Sequence, residues 1–423
     1  MILPSCYSLT PLFFISLLAA NHLLLAQEKP APFTIEELVT QALESNPELQ
    51  FYEAEIASAK AGRREAGRLG NPELDFDFGR KRSTGADFRS EGVAYAVALA
   101  QPLEWPGRIG LRKAIADGEI DLAELGLKRF KYALAGQVRQ LAFRVSIAQE
   151  KAAVARDVAG RFNAVKDVLL QREVGGIAPH LEIKVIDAAT MTMEKESLEA
   201  AVEVQMALLE LNQLMGRSAV SPLVVARAKT DFPDMPEVAR LMELAVERNY
   251  EMQVLRAELA QQGFRVSLAK NERYPTIKVG PYVSREEAGE VESEAGIGFS
   301  LELPIFRNGK AKVSQAQARE AQAEATINAA ARRLEREVAS AALVYLNSRK
   351  QLQGWPAERI DALQDSAQSA DRHYRLGAVP VATYIELQEK YLEALEAVND
   401  VKADALEAWL TIEQLTGATP EFD

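Results

Sequence analysis

Cysteine is almost missing from this chain of 423 residues, and the single one, Cys6, lies ahead of an N-terminal apolar run. If that run leaves as a leader, no thiol remains. Disulfides and thiolate metal sites are then excluded, and no lipid-bearing cysteine stands at the cleavage point. Histidine is scarce too: of three, His22 falls in the leader, while His180 and His373 stand singly. No His-x-x-x-His, Cys-x-x-Cys or glycine-rich phosphate loop occurs, so no catalytic constellation, cofactor or metal centre is expected. Positive charge is in deficit, with 49 Lys and Arg against 61 Asp and Glu and a net charge of -12. No basic stripe exists to neutralise nucleic-acid phosphates. Beyond residue 26 no stretch approaches 18 uncharged apolar residues, which excludes a helical membrane span and leaves strands as the only means of insertion.

Met1 to Ala26 contain no Asp, Glu, Lys or Arg and include the apolar runs Leu12 to Ala20 and Leu23 to Ala26. They read as a secretory signal peptide over 1–26, although the usual positive n-region is lacking. A membrane anchor is the alternative, for which the run is short.

The remaining chain is written twice. Ala42-Leu43-Glu44-Ser45-Asn46-Pro47-Glu48-Leu49 returns as Ala245-Val246-Glu247-Arg248-Asn249-Tyr250-Glu251-Met252. Pro102 and Gly107 return as Pro304 and Gly309, Gly176 and Pro179 as Gly377 and Pro380, and Leu211 to Gly216 as Ile412 to Gly417. A period of about 200 residues is a duplicated domain, not a solenoid of short units. The repeats are placed at 27–220 and 221–423. Each opens with a helix, for which Thr34-Ile35-Glu36-Glu37 and Asp234-Met235-Pro236-Glu237 both predict capping boxes.

Two strands follow in each repeat, at 73–80 and 93–102, then at 276–283 and 296–303. Their apolar residues alternate with small or acidic ones, the mark of a strand with two different faces. The segments 81–92 and 284–295 read as polar tips. A proline and a glycine then precede helices of unusual length. No proline interrupts Gly107 to Ala178, and about 60 helical residues at 1.5 Å each span on the order of 90 Å. Val138, Leu141, Val145 and Ala148 step by three and four, a coiled-coil-like seam. Return helices are predicted over 181–214 and 383–415, and Gly354-Trp355-Pro356 should kink the second long helix.

Four strands cannot close a barrel, and open edges cannot sit in lipid. Strands that enter a membrane here therefore require several copies of the chain around one barrel. A soluble sheet half-buried on helices has the same periodicity, so the pattern alone leaves both open.

The ordered set of Asn46 to Leu49, Gln101-Pro102-Leu103 with Gly107-Arg108, Leu303-Pro304-Ile305-Phe306 with Gly309, Tyr374 to Pro380, and Glu413 to Gly417 resembles the TolC-like outer-membrane efflux proteins. The resemblance spans nearly the whole mature chain, and the stretch Gln101 to Arg112 is most similar to the heavy-metal efflux branch. It implies a mainly α fold with a membrane β-barrel: a homotrimer whose duplicated antiparallel helices form an α-barrel tunnel and whose four strands per chain give a twelve-stranded barrel in outer-membrane lipid. It further implies an outer-membrane location with a periplasmic extension, a periplasmic adaptor (membrane fusion) protein, and an inner-membrane efflux pump of the RND type. A non-channel periplasmic coiled-coil scaffold or adaptor is the alternative, although no lipoyl-like insertion is visible. A secreted enzyme would have only isolated acids to support it.

By this resemblance the two helix-turn-helix tips form the periplasmic mouth. Arg172, Gly176, Pro179, Arg375, Gly377 and Pro380 become the candidates for gripping the adaptor, Gly176 and Gly377 in left-handed conformations and Pro179 and Pro380 at helix starts. Simple turning of the chain explains the same residues. Glu386 stands at one family position that rings the entrance with acid. Thr383 replaces the acid one turn earlier, and Glu182 is its counterpart in the first repeat. Asp75, Asp77 and Glu302 are candidates for lining the barrel water, and a solvated sheet or helix face is the plain alternative for all of these acids.

Overall fold

The computed structural model of the chain describes residues 32–85, 89–171, 177–227, 232–303, 305–306 and 308–417. The expected leader over 1–26, with Cys6 and His22, lies outside these residues.

In the first half, α1 (Ile35–Ser45) and α2 (Glu48–Ala66) lead into β1 (Glu73–Thr84) and β2 (Arg89–Leu103), followed by α3 (Arg108–Gln171) and α4 (Ile177–Leu214). The second half repeats this order with α5 (Val238–Arg248), α6 (Tyr250–Asn271), β3 (Ile277–Ala288), β4 (Glu290–Leu301), α7 (Lys310–Gly354), α8 (Ala357–Arg375) and α9 (Val381–Thr416). At 64 residues, α3 runs for about 95 Å. Its counterpart breaks where expected: α7 stops at Gly354 and α8 restarts after Pro356, which cannot donate the hydrogen bond a continuous helix needs.

The repeated asparagines explain why the duplicated motif recurs. The Asn46 side-chain Oδ1 accepts from the amide of Glu48, the first residue of α2, while its Nδ2 donates to the Leu214 carbonyl at 2.8 Å. Asn249 does the same, accepting from the Glu251 and Met252 amides and donating to the Leu415 carbonyl at 3.0 Å. Each asparagine thus breaks a helix and ties the next one to the end of its hairpin; Asn249 is also the N-cap of α6, whereas the N-cap of α2 is Pro47. The glycines that close the two hairpins, Gly216 (φ +65°) and Gly417 (φ +63°), are left-handed. A Cβ on Gly216 would come within 2.3 Å of the Ser45 carbonyl oxygen, so Leu214–Gly216 and the end of α1 meet through bare backbone.

Duplicated cores surround these joints. Leu38, Ala42, Val138, Ala142, Leu211 and Met215 form one, and Leu241, Ala245, Val338, Ala342, Tyr345 and Ile412 form the other. Farther along the hairpins, a third cluster joins Phe162 and Ile186 to Ala367, Tyr384 and Tyr391. α3 packs against both α4 and α9, so it carries the two halves as one body.

Two expectations need correction. Thr34 forms the full capping box with Glu37, but Asp234 does not. Helix α5 begins only at Val238 and lacks a side-chain cap, because the Asp234 carboxylate is drawn away to Arg349 at 2.5 Å. The strands, expected at 73–80, 93–102, 276–283 and 296–303, are longer at their hairpin ends, and β4 stops at Leu301. Much of 81–92 and 284–295 is therefore paired strand, not loop, held by cross-strand ion pairs such as Arg82–Glu91 at 2.6 Å and the contacts of Lys81 with Glu286 and Glu292.

Candidate functional site

The four strands form one antiparallel sheet in the order β1-β2-β3-β4. Register sorts its side chains into two faces. Leu74 lies opposite Leu99, Phe76 opposite Val97, and Phe78 opposite Tyr95; Val97 meets Val283, and Val279 meets Phe299. Most of this face is open: Leu74, Phe76, Phe78 and Phe299 are each about two-thirds exposed or more, at 70%, 66%, 72% and 78%. The other face pairs Asp75 with Ala98 and Asp77 with Ala96, and carries Ser284 and Glu294. Tyr282 donates to Glu294 at 2.6 Å, and Lys278 Nζ bonds Glu73 at 2.5 Å in the field of Asp75 and Glu302. Glu302 itself lies one residue beyond β4, not within it. Among the described residues, strands β1 and β4 have no partner on their outer edges. The sheet thus presents an uncovered apolar face, a polar face lined with small residues, and two free edges.

Where the strands meet the helices, Arg108 gathers the joint. Its guanidinium donates to Asn271 Oδ1 (3.1 Å), Thr276 Oγ1 (3.1 Å) and the carbonyls of Asn271 (3.2 Å) and Tyr274 (2.8 Å). Asn271 returns a bond to the Pro106 carbonyl, and Trp105 stacks on Tyr274 with ring centres 4.7 Å apart. A planar five-donor fork is suited to collecting several acceptors at one joint. The Gly107-Arg108 motif pointed here, but its partners in the second repeat were not readable from spacing.

At the far end, α8 stops at Arg375, which pairs with Asp371 at 2.9 Å. Gly377 is left-handed (φ +73°) as expected, and the amides of Gly377 and Ala378 donate back to the Tyr374 and His373 carbonyls. Pro380 is the N-cap of α9. In the first hairpin Arg172 and Gly176 lie outside the described residues, and Pro179 falls in the first turn of α4. Thr383, Glu386 and Glu182 are all exposed; Glu386 lies on the side of α9 away from the buried Tyr384 and Gln388, whereas Glu182 precedes the buried Ile186 by one turn on the same face of α4. His180 is exposed, and the His373 ring lies against the Ser369 carbonyl, with Nδ1 at 2.8 Å. Among the described residues no group of three or more His, Cys, Asp or Glu is placed to hold a metal ion.

Sequence reasoning missed what fixes this tip. Tyr384 is fully buried, stacked on Tyr374 and tilted against Phe162 of α3, both at 5.1 Å. One turn on, the buried Gln388 donates to the Ala367 carbonyl at 2.7 Å and accepts from Arg161 at 3.4 Å. Burial pushes the Tyr384 hydroxyl far above the usual phenol range, so it stays neutral. The i, i+4, i+7 spacing of Tyr384, Gln388 and Tyr391 was the available signal.

With this geometry in hand, comparison with known proteins decides the lineage. The sequence profile of the outer membrane efflux protein family matches residues 38–217 and 241–418, once for each half. The chain belongs to this family. It is 24% identical over 397 residues to the cobalt-zinc-cadmium resistance protein CzcC of Cupriavidus metallidurans, covering 92% of this chain and 91% of that one. Its fold matches a membrane protein from Pseudomonas aeruginosa with a TM-score of 0.74 at 20% identity, covering 90% of both chains. The MtrE outer membrane channel of Neisseria gonorrhoeae gives 0.70 at 14% identity, over 90% of this chain and 88% of the other. The TolC-like resemblance holds, and the chain is an outer-membrane channel component of a tripartite efflux system, not a scaffold or adaptor.

Proposed function

We propose that three copies of the chain close a twelve-stranded barrel in the outer membrane and continue it as a helical tunnel, through which divalent heavy-metal cations leave the cell. The observation that carries this reading is the pair of unpaired edges on a sheet whose apolar face is uncovered. Bare N–H and C=O groups cannot remain in hydrocarbon, and pairing β4 of one copy with β1 of the next satisfies them. The open apolar face then meets lipid, and Asp75, Asp77 and Glu302 meet the water inside. Unburied apolar side chains also recur along the second half of α4, at Leu198, Val202, Met206 and Leu209. Their three- and four-residue steps suit helix packing against a neighbouring copy.

The pump in this reading is of the RND type, and the tips contact its adaptor through Arg172, Gly176, Pro179, Arg375, Gly377 and Pro380. Glu386, with Glu182 and Thr383 beside it, faces the lumen at the entrance and draws cations in. Residues 1–26 direct export and are removed, and no lipid is attached. The metal cargo is supported by the likeness to a cobalt-zinc-cadmium resistance protein and by the chain's net negative charge. Deleting the gene and scoring growth on zinc, cobalt and cadmium salts tests the cargo. Sensitivity in the deletion strain, with tolerance restored by re-expressing the chain, is the expected result, and unchanged tolerance of all three metals overturns it.

A further inference from the structure

The apolar face of the sheet changes character within one strand step. Along β1 every second residue is apolar at Leu74, Phe76 and Phe78, and the same row continues as Arg80 and Arg82. On β3 the row runs Val279, Pro281, Val283 and then Arg285; on β2 it passes Val97, Tyr95 and Val93 to reach Glu91 and Arg89. Register sets these changes side by side. Tyr95 stands between Phe78 of β1 and Arg285 of β3, and Val93 stands between Arg80 and Glu287. Arg80 and Arg285 therefore flank β2, about 10 Å apart across the sheet and about 7 Å along it. Strand pairing continues to the hairpin ends, so the ladder fixes which face each of these side chains occupies.

Charge is sorted by face in this region. Beyond the apolar rows, the paired residues on the apolar side are Arg80, Arg82, Arg89 and Arg285 against Glu91 and Glu287. On the polar side Lys81 stands against Glu286, Glu290, Glu292 and Glu294. A chain whose net charge is -12 thus turns a positive rim to the side of its apolar face and a negative one to the other. Arg82 is already taken up by Glu91 at 2.6 Å. Among the described residues, Arg80 and Arg285 have no carboxylate within salt-bridge distance, and both are exposed. The rim lies at the end of the sheet away from the helices, which join the strands at Glu73, Leu103, Ile277 and Leu301.

We infer that Arg80 and Arg285 bind the phosphate groups of a phosphorylated lipid in the outer leaflet, whose acyl chains lie along Phe76, Phe78 and Val283. A guanidinium without an internal partner offers its planar fork to phosphate oxygens, the anion that fork fits best beside a carboxylate. Tyr95, between the last apolar row and the arginines, is the amphipathic side chain suited to the level where hydrocarbon gives way to headgroups. The occupant is a lipid and not a soluble anion because the arginines extend rows whose preceding members meet hydrocarbon. A headgroup tethered by its own acyl chains is held at high effective concentration beside them, whereas a free anion gains nothing from the neighbouring phenylalanines. The bound lipid then seals the outer rim of the barrel wall.

This inference rests on the shared-barrel reading, and its test separates the two. The full assembly in detergent is titrated with lipid A, a glucosamine lipid carrying two phosphates, and with the same lipid dephosphorylated; retained lipid is counted by native mass spectrometry. The parent should hold the phosphorylated form about tenfold or more tightly, the scale of one charge-assisted contact. Arg80→Gln combined with Arg285→Gln should erase that preference and leave the dephosphorylated lipid bound as before. Lys81→Gln, at the same height on the polar face, should keep the preference, which a diffuse charge effect would not. Excess inorganic phosphate should not displace the lipid. Equal retention of both lipids by the parent, an unchanged preference in the double variant, a preference lost equally in Lys81→Gln, or displacement by free phosphate overturns the proposal while the apolar face keeps its lipid. An assembly that takes up neither lipid overturns the barrel reading with it.

Discussion

At the scale of single residues, Glu413 is the most exposed to test because it is nearly absent from solvent. It is 5% exposed, one of its carboxylate oxygens has no partner, and Arg139 lies 3.9 Å away. Burial pushes its carboxyl from the ordinary 4.5 up to about 7, with Arg139 only partly opposing. Below pH 4.5 the group is protonated folded or unfolded and has no effect. Between 4.5 and 7 only the unfolded chain gives up the proton, so stability falls as pH rises, by up to about 3 kcal/mol once pH exceeds 7. Glu413→Gln should remove that slope, giving a melting temperature several degrees above the parent at pH 8 and equal to it at pH 4. Matching melts at pH 8 would show that Arg139 compensates fully. For the entrance, Glu386→Ala should change single-channel conductance and weaken block by added divalent cations in planar bilayers; identical traces remove Glu386 from the lumen. The asparagines of the repeated motif were legible as a repeat before their role was. The sequence gives two copies of a residue that both accepts and donates, and only the fold brings Leu214 and Leu415 to the other side of each. Gln388 and Tyr384 left no comparable trace, because a buried stripe at helical spacing reads the same whatever it packs against.

Among the elements, the second hairpin tip is defined by one backbone conformation. Gly377 has φ +73°, and its amide donates to the Tyr374 carbonyl. Proline can meet neither condition. Gly377→Pro should abolish efflux while the assembly stays in the membrane; intact efflux would place adaptor docking elsewhere. The long helices, the break at Pro356 and the two-faced strands were readable, because period and proline placement are local properties, whereas the break at Asn46, repeated at Asn249, which splits each opening helix in two, was not. Strand ends were not. Lys81, Arg82, Glu91, Glu286 and Glu292 look like loop composition, yet across a hairpin the charges pair, and a strand outside a hydrocarbon layer needs no apolar face to persist. Asp234 failed for the matching reason: a helix cap is a local contest, and Arg349, 115 positions along the chain, wins it through tertiary contact.

For the whole molecule, β1 and β4 are the opposite margins of one sheet, three strand spacings or about 14 Å apart, well beyond disulfide reach within a chain. Cysteine pairs such as Phe76→Cys with Phe299→Cys, scanned by two residues either way, should therefore cross-link only between copies. At the correct register the product should run as a covalent trimer in non-reducing gels, whereas monomers at every register would refute the shared barrel. A margin that must be completed by a sister copy also makes the ring vulnerable as a unit. One chain with a spoiled β1 leaves a breach that two sound chains cannot mend. Co-expressing equal amounts of sound and spoiled chains would leave only about one ring in eight fully sound, so damage to one allele would act dominantly over the other.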